Sequence, residues 1–229
     1  MSSPAPLPSS LPPSRPPVLL ACALLTAVFA VLLVLVAVEW GPLVALDDDI
    51  ANGLHRWAID DPATTRVMRV LSDWVWDPWA MRAVIAVVFF WLLVHGERTL
   101  AVAIAVTSAL GALVQQVLKA AVGKERPQWP DPVDSAQYAA FPSGHAMTAA
   151  VTFSLLLWLL ARFTASRAAR AALLVVAVVS VLGVGFTRLY LGVHWFSDVL
   201  GGWLLGVAVV LGAVRWYAYL QARRGCSPA

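Results

Sequence analysis

The chain has 229 residues, of which 60% are hydrophobic and only 13% are charged, and its mean hydropathy is +0.77. A soluble globular domain is about half apolar and about a quarter charged, so this composition excludes an ordinary soluble protein and predicts one helical membrane domain. The net charge of +3 does not call for a nucleic-acid partner, because the inner loops of membrane proteins collect Lys and Arg.

The N-terminal third begins with a polar tail and a first apolar run. Residues 1–17 are rich in Pro and Ser, a composition that predicts a disordered tail. Residues 18–38 are apolar except for Thr26 and are long enough to cross a bilayer. They lack a convincing signal-peptide cleavage site, so they predict a first transmembrane helix that is not cleaved. Cys22 in this run and Cys226 at the other end predict neither a disulfide framework nor a metal site.

Residues 39–78 form a long connection that contains three consecutive aspartates and several tryptophans. The parts 48–58 and 63–76 have helical spacing, and their tryptophans predict helices that lie at the membrane interface. Two interpretations stay open from the sequence: the connection covers the outer mouth of a site, or it only links two spans.

Five further apolar runs predict five more spans, at about 80–95, 99–122, 144–163, 169–187 and 199–220. Arg82, near the start of the second span, is predicted to extend outward from the helix end. The prediction is therefore an all-α integral membrane protein. Six transmembrane helices would form one bundle over residues 18–220, with interfacial helices between the first and second and a C-terminal tail at 221–229.

Six spans place both termini on one side of the membrane, and the basic residues indicate which side. The tail, the 95–98 and 162–170 turns and the C-terminal end together carry eight arginines, whereas acids outnumber bases in the 39–78 connection. The opposite side also carries Lys119, Arg126 and Arg188, which we assign to a site and not to topology. We therefore predict a multi-pass protein of the cell membrane with both termini in the cytoplasm. The polar segments 123–143 and 188–198 then share the extracytoplasmic side.

Lys119 and Arg126 are seven residues apart, close to two helical turns. If the third span continued that far, both side chains would project from one face, and Pro127 favours a helix end there. Two cations beside a membrane predict a bound anion. The alternative is that they extend to the phosphates of surrounding lipids.

The segment from Pro142 to His145 stands where the fourth span begins. Ser143 is a natural N-cap, and Gly144 allows a ligand to approach the backbone. Free amides at the positive end of a helix favour an anion, and His145 in the first turn would point at it.

Arg188, His194 and Asp198 form a third group. On a helical turn, the carboxylate of Asp198 can reach the imidazole of His194, which fixes its tautomer and leaves the other ring nitrogen free to attack. Arg188 adds a planar fork that suits phosphate oxygens.

Together these residues resemble the type 2 phosphatidic acid phosphatase superfamily, which shares its site with vanadium haloperoxidases. The family pattern is Lys-x6-Arg-Pro, then Pro-Ser-Gly-His, then Ser-Arg-x5-His-x3-Asp. In this chain it reads Lys119 to Arg126-Pro127, Pro142 to His145, and Thr187-Arg188 to His194 and Asp198, with every spacing matched. Thr187 departs from the usual Ser but keeps the hydroxyl. The match covers about 80 residues, and the six-helix layout agrees with the membrane branch of the family.

The resemblance implies that His194 attacks phosphorus to give a phosphohistidine, that Asp198 orients it, and that His145 protonates the leaving oxygen and later takes a proton from water. It implies that the phosphoryl oxygens are held by Lys119, Arg126, Ser143, Gly144 and Arg188. It also implies metal-independent hydrolysis of a membrane lipid phosphate without a cofactor. Polyprenyl diphosphate, phosphatidic acid and phosphatidylglycerol phosphate are the substrate classes it suggests.

Two other functions compete with this hypothesis. A lipid-phosphate binding or transport protein without turnover would need only the cations, so the intact His194, Asp198 and His145 argue against it. A haloperoxidase is disfavoured because the family's peroxidases are soluble. His55 and His95 have no partner motif and are predicted to be non-catalytic. The sequence predicts a bilayer and a lipid substrate as partners and leaves the oligomeric state open.

Overall fold

The computed structural model describes residues 16–225. The predicted disordered tail lies outside the described residues except for its last two, which begin the first helix. Residues 226–229 of the predicted C-terminal tail, with Cys226, also lie outside them.

Within residues 16–225 the chain is helical throughout and contains no strand. The helices are α1 Pro16–Ala37, α2 Gly41–Asp60, α3 Pro62–Val70, α4 Pro78–Val94, α5 Arg98–Val122, α6 Gly144–Phe163, α7 Arg167–Tyr190 and α8 Phe196–Gly225. A π-helical turn, Leu71–Val75, extends α3. Six helical segments are long and apolar enough to cross a membrane: α1, the α3–α4 segment, α5, α6, α7 and α8. The predicted six-span, all-helical fold is therefore confirmed.

Several helices run beyond the apolar segments that predicted them. Helix α2 begins at Gly41 rather than at 48, α7 continues to Tyr190, and α8 extends from Phe196 to Gly225. The apolar runs mark the bilayer core, whereas backbone hydrogen bonding continues through the polar residues at each end.

Helix α6 is the centre of the bundle. Half of the residues in the most apolar stretch of α6 are buried inside the protein, against 11% in that of α1 at the periphery. It contacts α4, α5, α7 and α8. Its first residue therefore sits where four other helices can bring side chains to it.

Helices α6 and α8 approach closely because the contact is made of small residues. A Cβ atom on Gly202 would lie 2.8 Å from the carbonyl oxygen of Ser143, and one on Gly206 would lie 2.7 Å from the Cβ of Ala150. Only glycine fits at such distances. The close packing aligns the N-terminal ends of α6 and α8.

The interfacial helix α2 is amphipathic. Its buried residues, Asp47, Ala51, His55 and Ala58, follow one another at helical spacing and form one face. This face packs against α7 and α8. The 39–78 connection is thus part of the packed fold beside the ends of these two helices.

Helix α5 ends earlier than a shared helix face for Lys119 and Arg126 would require. It stops at Val122, because Gly123 adopts a left-handed conformation with φ of 64° and caps the helix. Arg126 therefore lies in the loop that follows, and the conditional expectation that both cations project from one helix is wrong.

Candidate active site

One cavity of about 650 Å³ collects residues from all three motif segments. Its wall contains Lys119, Arg126, Gly144, His145, Arg188 and His194. Ser143 and Asp198, the other two predicted site residues, are fully buried beside them. Segments that are far apart in sequence thus meet at one end of the bundle, where α5 ends and α6 and α8 begin.

His194 is held at both ring nitrogens. Its Nδ1 lies 3.2 Å from Oδ2 of Asp198, and its Nε2 lies 3.1 Å from a terminal nitrogen of Arg126. A carboxylate only accepts hydrogen bonds and a guanidinium only donates them. Nδ1 therefore carries the hydrogen, and the lone pair of Nε2 points at Arg126 and the cavity.

The His194–Asp198 pair was predicted on a helical turn, but helix α8 starts only at Phe196. His194 precedes the helix, and Asp198 is in its first turn, where its Oδ2 also accepts from the amide of Trp195 at 2.9 Å. The amide of Ser143 donates to the carbonyl of Asp198 at 2.9 Å. This backbone bond joins the second and third motifs directly.

Burial and the surrounding cations control the charge of His194. The ring is 2% exposed, and burial, followed by the positive charges of Arg126 and Arg188, holds its pKa well below the usual 6.5. Burial also lowers the pKa of Arg126, an effect opposed by Asp198, but a guanidinium remains charged. At neutral pH a neutral imidazole therefore faces a cationic cavity.

Arg126 is fixed by the loop that follows α5. Its guanidinium donates to the carbonyls of Tyr138 at 2.9 Å, Gln137 at 3.0 Å and Val193 at 2.5 Å. Lys119 likewise donates to the carbonyls of Ala139 and, at 3.4 Å, Ala140. Both cations are thus oriented by backbone oxygens, whose neutral dipoles leave the positive charges available to an anion.

Arg188 is almost fully buried at the end of α7. One terminal nitrogen donates to Oγ of Ser72 at 2.7 Å and lies 3.9 Å from a carboxylate oxygen of Asp134. Its Nε is buried and has no hydrogen-bond partner. A buried donor without a partner is costly, so this nitrogen is available to an oxygen of a ligand.

The start of α6 matches the predicted anion site only in part. Ser143 occupies the N-cap position, but its side chain makes no capping hydrogen bond, and its Oγ is buried without a partner. A Cβ on Gly144 would lie 2.7 Å from Nε2 of Gln115, so glycine is needed for packing as well as for access. His145 lines the cavity from the first turn.

Three remaining residues lie apart from this cavity. The hydroxyl of Thr187 donates to the carbonyl of Val184 in its own helix at 2.8 Å. His55 stacks on Trp129, with ring centroids 3.9 Å apart, and His95 bonds to the carbonyl of Trp91. Arg82 lies over the ring of Trp79, 5.0 Å from its centroid, near the start of α4, and forms part of the cavity wall.

Three residues on the side of Asp198 that faces away from the cavity were not predicted from the sequence: Lys124, Asp47 and Ser197. Lys124 lies 3.2 Å from Oδ1 of Asp198 and 2.9 Å from Oδ2 of Asp47. Ser72 and Asp134, beside Arg188, were not predicted either. The hydrogen-bonded partners in these clusters are 73 to 150 residues apart in sequence, and no local spacing indicates such pairs. In the described part of the chain, no group of three or more His, Cys, Asp or Glu side chains is arranged to hold a metal ion.

Comparison with known proteins finds a matching family and two curated relatives. Residues 96–222, more than half of the chain, match the model of the PAP2 superfamily. The chain is 36% identical over 97 residues to phosphatidylglycerophosphatase B of Bacillus subtilis (strain 168), covering 42% of this chain and 47% of that protein. It is 26% identical over 167 residues to undecaprenyl-diphosphatase of Sulfolobus acidocaldarius, covering 66% of this chain and 64% of that protein. The chain thus spans about half to two thirds of the length of these curated relatives.

A solved structure has the same fold. It is the crystal structure of a transmembrane PAP2 type phosphatidylglycerolphosphate phosphatase from Bacillus subtilis, with a TM-score of 0.77 and 22% identity. The match covers 87% of this chain and 97% of that one.

Proposed function

Because the chain belongs to the PAP2 superfamily, we propose that it is an integral-membrane phosphatase that hydrolyses a lipid phosphate or diphosphate through a phosphohistidine. One observation carries the proposal. The imidazole of His194, hydrogen-bonded at Nδ1 to Asp198, presents its Nε2 lone pair to a cavity lined by Lys119, Arg126 and Arg188. A nucleophile, an orienting carboxylate and an anion-binding wall are thus assembled in one place.

In the first step, Nε2 of His194 attacks phosphorus. The N–P bond forms as the P–O bond to the lipid breaks, and His145 gives its proton to the departing lipid oxygen. A terminal nitrogen of Arg126 donates to Nε2 of His194 at 3.1 Å and so occupies its lone pair. Phosphoryl oxygens are stronger acceptors for a guanidinium, so substrate binding draws Arg126 to the phosphate and frees the lone pair.

In the second step, water attacks the phosphohistidine. His145, now neutral, takes the proton of the water, the N–P bond breaks, and inorganic phosphate leaves with His194 restored. Asp198 stabilises the positive imidazole between the two steps, because its buried carboxylate accepts from Nδ1.

The transferred phosphoryl group is held by charge and by unpartnered donors. Lys119, Arg126 and Arg188 supply three positive charges around it. The unpartnered Nε of Arg188 and hydroxyl of Ser143 supply two further hydrogen bonds. Donors fixed in advance, where negative charge develops, are the largest contributors to catalysis of this kind.

The proposed substrate is a lipid because the cavity wall includes the ends of two helices that are long and apolar enough to cross a membrane. Its wall includes Trp79 of α4, which is 74% exposed, and Gln116 of α5. The named relatives act on phosphatidylglycerophosphate and undecaprenyl diphosphate. Phosphatidylglycerol phosphate, polyprenyl diphosphate and phosphatidic acid are accordingly the first substrates to test.

We place the site at the extracytoplasmic face with both termini in the cytoplasm. The turns 95–98 and 162–170 and the end of α8 carry arginines, and they lie at the opposite end of the spans from the cavity. Cytoplasmic ends collect such residues.

The test is phosphate release from these three lipids by purified protein with a chelator present. We expect turnover of at least one lipid, its loss in His194→Ala, and a fall of at least ~10²-fold in His145→Ala. His95→Ala is the matched control, because this exposed histidine bonds within α4 far from the cavity. Lipid binding without phosphate release in the wild type would instead support a binding or transport protein.

A further inference from the structure

Lys124 forms the centre of a charged network on the side of Asp198 that faces away from the cavity. Its ammonium lies 3.2 Å from Oδ1 of Asp198 and 2.9 Å from Oδ2 of Asp47, and it donates to Oγ of Ser197 at 2.6 Å. The lysine directly follows the left-handed Gly123 that ends α5. Lys124 is absent from the wall of the catalytic cavity, so it does not reach the substrate.

Asp47 attaches the interfacial helix α2 to this network. Its Oδ1 accepts from the amide of Ser197 at 2.8 Å, and its Oδ2 accepts from the Ser197 hydroxyl at 2.5 Å. The side chain of Asp47 is 5% exposed, that of Asp198 is fully buried, and that of Lys124 is 20% exposed. Two buried carboxylates therefore share one ammonium.

The charges of this network match the proposed intermediate. With a neutral His194, the two carboxylates and Lys124 sum to one negative charge. When attack on phosphorus makes the ring of His194 positive, the two carboxylates, Lys124 and the ring sum to zero, leaving the charge of the phosphoryl group to the cations of the cavity wall. Asp198 can stabilise the positive ring of His194 only as an ionised carboxylate. Burying a carboxylate without a cation is unfavourable.

We propose that Lys124, held by Asp47 and Ser197, is a positioning residue that keeps Asp198 ionised and aimed at Nδ1 of His194. This inference rests on the proposed function, because it assigns a role in the step in which His194 attacks. Lys124 touches neither substrate nor His194. Its effect passes through the carboxylate, which has one oxygen on Lys124 and the other on His194.

The network predicts a separation of kcat from KM. In Lys124→Met we expect kcat to fall about 10- to 100-fold, because the buried carboxylate of Asp198 loses its paired cation, while KM stays within about twofold. Lys124→Arg keeps the cation and should restore most of kcat. Asp47→Asn should lower kcat in the same direction as Lys124→Met. Asp48→Asn is its matched control, because the neighbouring Asp48 is exposed and its carboxylate has no place in the network.

A spectroscopic readout separates positioning from mere structural support. In protein labelled with ¹⁵N-histidine, the His194 ring of the wild type should show the Nδ1–H tautomer. In Lys124→Met the populations of the two neutral tautomers should change, while thermal unfolding remains cooperative. If Lys124→Met proves unfolded, Asp47→Asn carries the same comparison against its control Asp48→Asn. Wild-type kcat and tautomer in Lys124→Met or in Asp47→Asn would overturn the proposal. Absence of phosphate release in the wild type itself would refute the proposed function, whereas the tautomer comparison would still test the positioning role.

Discussion

At the scale of single residues, the site separates two histidines by their surroundings. His194 is hydrogen-bonded at both ring nitrogens, by Asp198 and Arg126, whereas His145 lines the open cavity from the first turn of α6. The held ring is suited to attack along one direction. The ring in the cavity is suited to exchange a proton with the leaving group and with water.

The division of roles predicts a dependence on the leaving group. An alkyl oxygen must be protonated as it leaves, but the phenolate of an aryl phosphate leaves without a proton. His145→Ala should therefore lose at least ~10²-fold on a lipid phosphate and less than about 10-fold on an aryl ester, measured as the first-turnover release of the phenolate. His194→Ala should lose both reactions. Equal losses in His145→Ala on the two esters would contradict the assignment of His145 as general acid.

The buried imidazole predicts a pH dependence with a definite sign. A lowered pKa means that His194 stays neutral, and thus nucleophilic, as the pH falls through 6.5. In ¹⁵N-histidine NMR at about pH 6, its ring should still show the neutral tautomer, although an ordinary imidazole would be mostly protonated. Replacing Arg126 with Gln removes one of the neighbouring charges and should raise this pKa. Protonation of His194 near 6.5 in the wild type would count against the account.

The motif spacing predicted a set of residues that share one cavity wall, but not the residues that support them. The motif spacing predicted Lys119, Arg126, His145, Arg188 and His194, and all of them line one cavity. Lys124 escaped the analysis because its partner Asp47 is 77 residues away on an interfacial helix. A carboxylate in an acidic run and a lysine in a loop carry no local signal of a buried pair.

At the scale of elements, the site depends on how closely α8 approaches α6. Gly202 faces the carbonyl of Ser143 at the start of α6, and the amide of Ser143 in turn bonds to the carbonyl of Asp198. The second and third motifs are therefore positioned by one helix contact.

This contact predicts the effect of a single methyl group. In Gly202→Ala the new Cβ would lie 2.8 Å from the Ser143 carbonyl and 3.0 Å from the amide of Met147, both backbone atoms that cannot rotate away. We expect a loss of about 1–3 kcal/mol in stability, measured by thermal unfolding in detergent, and reduced turnover. Gly212→Ala on the same helix is the control, since nothing lies within 4 Å of its Cβ. Equal behaviour of the two variants would contradict the close approach.

Element ends were harder to predict than element centres. The end of α5 at Gly123 placed Arg126 in a loop, although its spacing from Lys119 also suited a helix. Glycine marks helix ends as well as helix contacts, and the sequence alone does not distinguish them. Whether the 39–78 connection covers a site or only links two spans was likewise open, because the bond between Ser72 and Arg188 joins residues 116 positions apart.

At the scale of the whole molecule, the count of apolar runs predicted the six spans and placed the polar segments at one end. Apolar length is a strong signal because a bilayer core demands it. Orientation across the membrane was predicted from the distribution of arginines, which is a weaker signal because the predicted outer side also contains several.

The orientation predicts which positions a reagent can reach from outside. In a background with Cys22→Ala and Cys226→Ala, a single cysteine at position 135, in the loop beside the cavity, should react with a membrane-impermeant maleimide on intact cells. A cysteine at position 166, before α7, should react only after the membrane is opened. The reverse pattern would place the chemistry in the cytoplasm.

The most direct test of the central claim is to capture the covalent intermediate. Acid-sensitive N–P bonds survive a rapid quench in alkali, so wild-type protein mixed with lipid phosphate and digested should yield a peptide with one phosphoryl group on His194. His145→Ala should accumulate the same species when it is given an aryl phosphate, whose phenolate leaves without a proton, because the attacking water lacks its base. His194→Ala should yield none. Phosphorylation at another residue, or turnover by His194→Ala, would contradict the account.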